Sequence, residues 1–282
     1  MLNGEKMSGE NIDTNFLEDT NSITVFGSDI QRDIAQLSGR LLSSTEQIGN
    51  DNISDKLSIT INSLIRSNDN ADNKKNKKFL FFKLHNVYEE EKENEIVIKD
   101  VEQVEKALDE HRINLLMEST LYEQLYNMNQ QFIVRLDECI NVARNKKDEL
   151  VNKSKSTSGE KAKHIDNLCI QLEHRIEDLN VSKMLSEQQL VQIRVLLETT
   201  NSMARGIQST LYNVIPLWKN NVTNGFNMKS ENVSDEDIIY ERKKTNKMLI
   251  ESLGEIAHIH EESVIKKKTA EKVFANKGGT NE

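Results

Sequence analysis

Residues 98–143 read IKDVEQVEKALDEHRINLLMESTLYEQLYNMNQQFIVRLDECINVA, and this stretch decides the fold. Val101, Val104, Leu108, His111, Leu115, Tyr122, Leu125, Phe132, Leu136, Cys139 and Ala143 fall on alternating three- and four-residue steps, with Glu118 and Asn129 as polar interruptions. That is the heptad rhythm of a helix with one buried seam. A helix from Ile98 to Asn152 exceeds about 75 Å at about 1.5 Å per residue, so it must lie against helices of similar length.

Working outward, Lys153 to Gly159 (Lys-Ser-Lys-Ser-Thr-Ser-Gly) is the clearest turn in the chain. A short polar loop between two long helices makes them antiparallel neighbours. The second helix carries Ile165, Leu168, Leu172, Ile176, Leu179, Leu190, Ile193, Leu197, Ala204, Ile207 and Leu211, diluted by Ser182, Ser186 and Thr200. It runs into Asn213-Val214-Ile215-Pro216-Leu217-Trp218-Lys219-Asn220, which holds the only Pro and the only Trp. Proline lacks an amide donor and crowds the carbonyl four residues back, so the helix is expected to kink or restart there, as a hinge anchored by Trp218. A third long helix opens at Ser234-Asp235-Glu236-Asp237, where a hydroxyl cap is followed by carboxylates at the positive end of the dipole. Its seam is Ile239, Asn246, Leu249, Leu253, Ile256, His260, Ala270 and Phe274.

Toward the N-terminus the pattern weakens. Residues 1–25 are polar with scattered apolars and are expected to be a disordered tail, as are residues 277–282. Residues 26–70 read as a helical hairpin. Ser28 and Gln31 have capping-box spacing ahead of Ile30, Ile34, Leu37 and Leu41, and a second piece carries Ile53, Leu57, Ile61 and Leu64. Residues 71–97 read as a linker, and residues 98–276 as the long-helix bundle. Within the linker, Phe79-Leu80-Phe81-Phe82-Lys83-Leu84 fits either a hydrophobic plug or a peripheral membrane anchor, and the acidic run from Glu89 to Glu95 opposes contact with anionic lipid. The fold class is therefore all-α: an elongated antiparallel helical bundle or coiled coil with three long helices and a short N-terminal helical hairpin.

Composition agrees. Gly at 11 and Pro at 1 in 282 residues are too few for sheets and tight loops. A net charge of −9 argues against nucleic acid as a partner. No run of apolar residues is long enough to span a bilayer, the N-terminus lacks signal-peptide character, and Cys139 and Cys169 have no CxxC spacing, so a cytoplasmic chain with reduced thiols is expected.

Candidate chemistry is thin. His258 and His260 stand two apart on a helix and point about 200° apart, so they do not share an ion, and no metal site is expected. His111 reads as a core-edge histidine facing a carboxylate, while His164 and His174 read as boundary residues. No phosphate loop, nucleophile elbow or calcium loop is present, so neither a catalytic residue nor a cofactor is assigned, and an enzyme is not expected. Asn129 and Asn246 fall at seam positions, where a buried amide fixes register or partner choice; the alternative is an exposed edge of the seam.

Asn213-Val214-Ile215-Pro216-Leu217-Trp218-Lys219-Asn220 resembles the signature of the toxic anion resistance family, the TelA-like tellurite resistance proteins. Leu121-Tyr122-Glu123-Gln124-Leu125-Tyr126 through Ile140 is similar to that family's first long helix. Leu172 through Arg194 is similar to its second, and Thr245-Asn246-Lys247-Met248-Leu249-Ile250 through Glu262 to its last. The resemblance covers most of residues 100–275 and, weakly, Phe26 to Arg66. Two features depart from the family pattern: the segment between Phe226 and the last helix is short, and Leu116 to Thr120 lacks an Asp-Asn pair. The resemblance implies resistance to tellurite and other toxic anions or to cell-envelope stress, with no established catalytic residues. The expected role is a non-enzymatic scaffold with protein partners and possible self-association. Alternatives are a peripheral membrane module and direct anion binding through Cys139 and Cys169.

Overall fold

The computed structural model describes residues 17–46, 52–75, 83–228 and 235–275. Among them there is no strand. The helices are α1 (Thr20–Val25), α2 (Ser28–Glu46), α3 (Ile53–Lys75), α4 (Lys83–Lys155), α5 (Glu160–Ser209), α6 (Ile215–Met228) and α7 (Asp235–Ala275), with a π-helical turn at Thr210–Val214 between α5 and α6. Three long helices and a short N-terminal helical pair are thus the observed all-α fold.

The chain divides into two compact units. Unit 1 comprises Met1–Ser43, Gln124–Ile193 and Ala270–Glu282; unit 2 comprises Ser44–Glu123 and Arg194–Thr269. Most of α2 therefore belongs to unit 1 and α3 to unit 2, so the members of the expected hairpin are assigned to different units.

In unit 1, α4 and α5 run antiparallel. Ser154 Oγ donates to Asp166 (2.6 Å), Lys147 pairs with Glu173 and Lys183 with Asp137 (2.7 Å), so numbers fall along α4 as they rise along α5. Lys155 ends α4, and Gly159, at φ +75°, supplies the left-handed step before α5. Phe132, Leu136, Ile140 and Ala143 of α4 and Leu168, Leu172 and Leu179 of α5 are buried in this unit, together with Ile30, Ile34 and Leu37 of α2. The expectation of a disordered tail through residue 25 is corrected. Asp19 accepts from the amides of Asn21 and Ser22 and starts α1, whose Ile23 is buried, as is Leu17 before it. Gly27, at φ +74°, turns the chain from α1 into α2, and a Cβ there would meet Leu179 Cδ2 at 3.0 Å. The buried Arg175 fastens this corner, donating to the Phe26 carbonyl (2.7 Å) and to Gln31 Oε1 (2.8 Å). The capping box is also corrected: Gln31 holds Arg175 and Ser182, and its amide bonds the Gly27 carbonyl.

In unit 2, one core joins Ile53, Leu57 and Leu64 of α3, Val101, Val104, Leu108 and Leu115 of α4, Ile207 and Leu211, Ile215 and Trp218 of α6, and Leu249, Leu253 and Ile256 of α7. Of the residues 71–97 expected as a linker, those to Lys75 belong to α3 and those from Lys83 to α4. Glu and Lys are good helix formers, so a polar run continues a helix as readily as it links two. Phe79 to Phe82, the Ser234 cap and residues 277–282 lie outside the described residues, as do the side chains of Lys83, Leu84 and Glu89 to Glu93.

Candidate functional site

The stretch expected to break the second long helix stays helical, and the sequence shows how. A proline at 216 has no amide to donate and crowds the carbonyl of Tyr212. The backbone answers with one wider turn: the amide of Ile215 reaches back five residues to the Thr210 carbonyl, after which α6 proceeds through Pro216 to Met228. Thr210 is buried, donates to the Gly206 carbonyl (3.0 Å) and shares a hydrogen bond with Ser252 of α7 (2.6 Å).

The motif residues divide by face. Ile215 and Trp218 are buried in the unit 2 core, whereas Asn213, Pro216 and Leu217 face solvent. Trp218, 2% exposed, donates its indole N–H to Asn246 Oδ1 (2.7 Å), and Asn246 Nδ2 donates in turn to Asn68 Oδ1 of α3 (2.8 Å). Two residues singled out separately in the sequence thus meet and tie α6, α7 and α3 together. Lys219, half-buried, pairs with Glu105 of α4 (2.6 Å), and the Arg112 guanidinium, held by Asp109 (2.8 Å), lies over the exposed Tyr212 ring (5.8 Å). Asn246 is buried, so the exposed-edge alternative is set aside for it.

Asn129, in unit 1, is also fully buried, and donates to the Ser186 carbonyl (2.7 Å). Its Oδ1 has no protein partner among the described residues, nor have Ser186 Oγ and Gln189 Oε1. The orientations are fixed by chemistry: the Ser186 carbonyl only accepts, so Asn129 must present its NH2 there. Ser38 Oγ donates to the Ile34 carbonyl (2.9 Å) and so accepts from Gln189 Nε2 (2.7 Å), which leaves the Gln189 oxygen facing away.

The remaining candidates disperse. His111 and His260 stack edge to face within unit 2 (5.9 Å between centroids), and Ser54 Oγ lies 3.1 Å from His260 Nδ1. His111 thus faces a second histidine. His258 is exposed beside Glu262, and His174 beside Glu177. His164 lines a shallow cleft of about 500 Å³ at the α4–α5 turn with Lys153, Lys161, Glu18 and Glu160. Cys139 lies near the Gly27 corner, while Cys169 contacts the Lys147 carbonyl. Residues 139 and 147 are separated by about 12 Å of helix, so the two sulfurs do not converge. Burial pushes both thiols up, away from the reactive thiolate. Among the described residues, no group of three or more His, Cys, Asp or Glu is placed to hold a metal ion, and no helix is long and apolar enough to cross a membrane.

Two pairings were beyond sequence reasoning. Glu118, read only as a polar interruption, pairs with the buried Lys267 of α7 (3.0 Å) in unit 2. Lys146, 1% exposed in its side chain, meets Glu18 (3.0 Å) in unit 1. Each partner lies more than a hundred residues away, and no local spacing announces it.

Residues 10–276 match the family model of the toxic anion resistance protein (TelA). The chain belongs to the TelA family. A TelA-like protein of Staphylococcus saprophyticus is 27% identical over 225 residues, covering 73% of this chain and 59% of the relative. TelA-like proteins of two strains of Staphylococcus aureus are 28% identical over 222 residues, covering 72% of this chain and 58% of each relative. The chain therefore spans about six-tenths of the length of the curated relatives it matches. No solved structure matches it. The family match includes residues 67–99, which the resemblance read from the sequence left out.

Proposed function

We infer that this TelA family chain is a non-enzymatic helical scaffold that contributes to resistance against toxic anions such as tellurite, and to cell-envelope stress, by holding protein partners in the cytoplasm. The observation that carries the reading is the Trp218–Asn246–Asn68 chain of hydrogen bonds. Trp218 and Asn246, two of the residues that carry the family resemblance, are engaged in packing, where they tie three helices together. A scaffold needs such rigidity, whereas a catalytic group needs access to substrate.

The test is complementation. A strain lacking the gene is scored for tellurite and envelope-antibiotic sensitivity, then supplied with the chain, with Trp218→Ala, or with Cys139→Ala/Cys169→Ala. Under this reading the chain restores resistance, the cysteine-free chain restores it fully, and Trp218→Ala fails. Unchanged sensitivity on deletion would remove the resistance role. Loss of resistance in the cysteine-free chain, with its fold intact, would favour direct anion chemistry at the thiols.

A further inference from the structure

The core of unit 1 contains a polar layer whose hydrogen bonds do not close on themselves. Asn129 Oδ1 on α4, with Ser186 Oγ and Gln189 Oε1 on α5, have no protein partner among the described residues, and all three residues are 0% exposed. A buried acceptor or hydroxyl left unmet costs stability, and here the cost would recur three times in one place. On either side the layer is flanked by buried apolar residues, Leu37 and Leu41 of α2 and Leu125 and Phe132 of α4.

Register brings the three atoms together. Lys183 with Asp137 (2.7 Å) and Lys147 with Glu173 set α4 antiparallel to α5 and place Asn129 within one helical turn of Gln189. The bond from Asn129 Nδ2 to the Ser186 carbonyl (2.7 Å) ties it to the same turn, and residues three apart share a face of a helix. On the third helix, Gln31 meets Ser182 (2.8 Å) and Arg40 approaches Met128 (3.9 Å), so α2 runs parallel to α5 and Ser38 falls level with Asn129. Gln189 engages its NH2 with Ser38 (2.7 Å), and Asn129 engages its NH2 with α5. Both amide oxygens therefore stay in the interior.

The chemistry of these atoms names the ligand. Asn129 Oδ1 and Gln189 Oε1 only accept, whereas the Ser186 hydroxyl can donate. A common partner must offer two hydrogens and a lone pair in a small volume. Water does so, and an internal water ordinarily makes about three hydrogen bonds. The serines at 38 and 186 are shorter than the leucines of the flanking layers, which leaves room beside the amides. No side chain of the layer is a carboxylate that would offset the charge of a cation.

We propose that Asn129 Oδ1, Ser186 Oγ and Gln189 Oε1 form a binding site for one internal water, which donates to both amide oxygens, accepts from the hydroxyl and links α4 to α5 beside Ser38 of α2. Immobilising a water costs entropy, so the bridged layer stays weaker than one closed by direct amide bonds. The site is independent of the scaffold reading, because its test reads water, not resistance.

The experiment counts long-lived waters on the full chain by magnetic relaxation dispersion of the water oxygen, with helix content checked by circular dichroism. Asn129→Leu and Gln189→Leu each lower the count by about one, and the double variant also lowers it by about one, because both oxygens hold the same molecule. Ser186→Ala, the mildest change, keeps both acceptors and shortens the residence time about fivefold. An unchanged count in either leucine variant, a loss of two waters in the double variant, or an unaltered residence time in Ser186→Ala would each overturn the proposal. Melting temperatures in sodium, potassium and choline chloride at equal ionic strength are expected to agree. A rise in sodium or potassium that Asn129→Leu abolishes would show a cation in the site and overturn the water.

Discussion

Two buried asparagines at seam positions, Asn246 in unit 2 and Asn129 in unit 1, have opposite surroundings. Asn246 accepts from the Trp218 indole and donates to Asn68, so both ends of its amide are engaged across helices. Asn129 donates to the Ser186 carbonyl, and its oxygen has no protein partner among the described residues. The same residue in the same heptad grammar thus acts as a clasp in one unit and as a weak layer in the other. A seam amide strengthens a bundle only where the neighbouring helices bring it a donor and an acceptor.

The largest effect expected along this comparison is that of Trp218→Ala. Removing the biggest fully buried side chain of the unit 2 core leaves a cavity and orphans Asn246, at a cost of about 3–5 kcal/mol. Hydrogen exchange of α6 and α7 amides is the measurement, and protection lost there while unit 1 keeps its own is the expected pattern.

Next come matched substitutions of the amides. Asn246→Leu strands the Trp218 N–H and the Asn68 carbonyl group and is expected to cost about 1–3 kcal/mol. Asn129→Leu exchanges a half-satisfied amide for an apolar side chain and is expected to lie within about 1 kcal/mol of neutral. Denaturant melts of the two variants give the comparison, and equal losses would erase the distinction between clasp and weak layer.

Pro216→Ala is smaller again. The proline is exposed and Trp218 is held from α7, so a change below about 1 kcal/mol and an unmoved Trp emission maximum are expected. A red-shifted emission would show that the proline itself seats the indole.

The smallest effect concerns pH in unit 1. The hydrogen bond from Lys146, followed by its charge, holds the Glu18 carboxyl below its ordinary value of 4.5. A group depressed in the folded state stabilises above its unfolded pKa, and that contribution fades as pH falls through the folded one. A slight loss of α1 protection on acidification below about pH 4.5, absent in Glu18→Gln, is the expected outcome.

Much of this was legible from spacing. In the seam that fixed the fold, Val101, Val104, Leu108, His111, Leu115, Tyr122, Leu125, Phe132, Leu136 and Ala143 are all buried, and only Cys139 is intermediate. Heptad position is a local property, and the chain obeys it. The turn before Gly159 was legible for the same reason, because turn residues act over a few positions. What was not legible depends on partners far away in sequence. Asp19 caps α1, but the burial of Leu17 and Ile23 that makes α1 worth capping is tertiary, so the segment read as a tail. The family motif was visible as residues, and Pro216 announced a disturbed helix, but the hydrogen bond between Thr210 in the wider turn and Ser252 of α7 is tertiary. The meeting of Trp218 with Asn246 required knowing that α7 packs against α6.

The central claim is that the family motif works through the bond between Trp218 and Asn246. A double-mutant cycle of Trp218→Phe and Asn246→Leu, read by denaturant unfolding of the full chain, tests it most directly. The account predicts non-additivity, the double variant losing less than the sum of the single losses by about 1 kcal/mol or more. Strictly additive losses would contradict it.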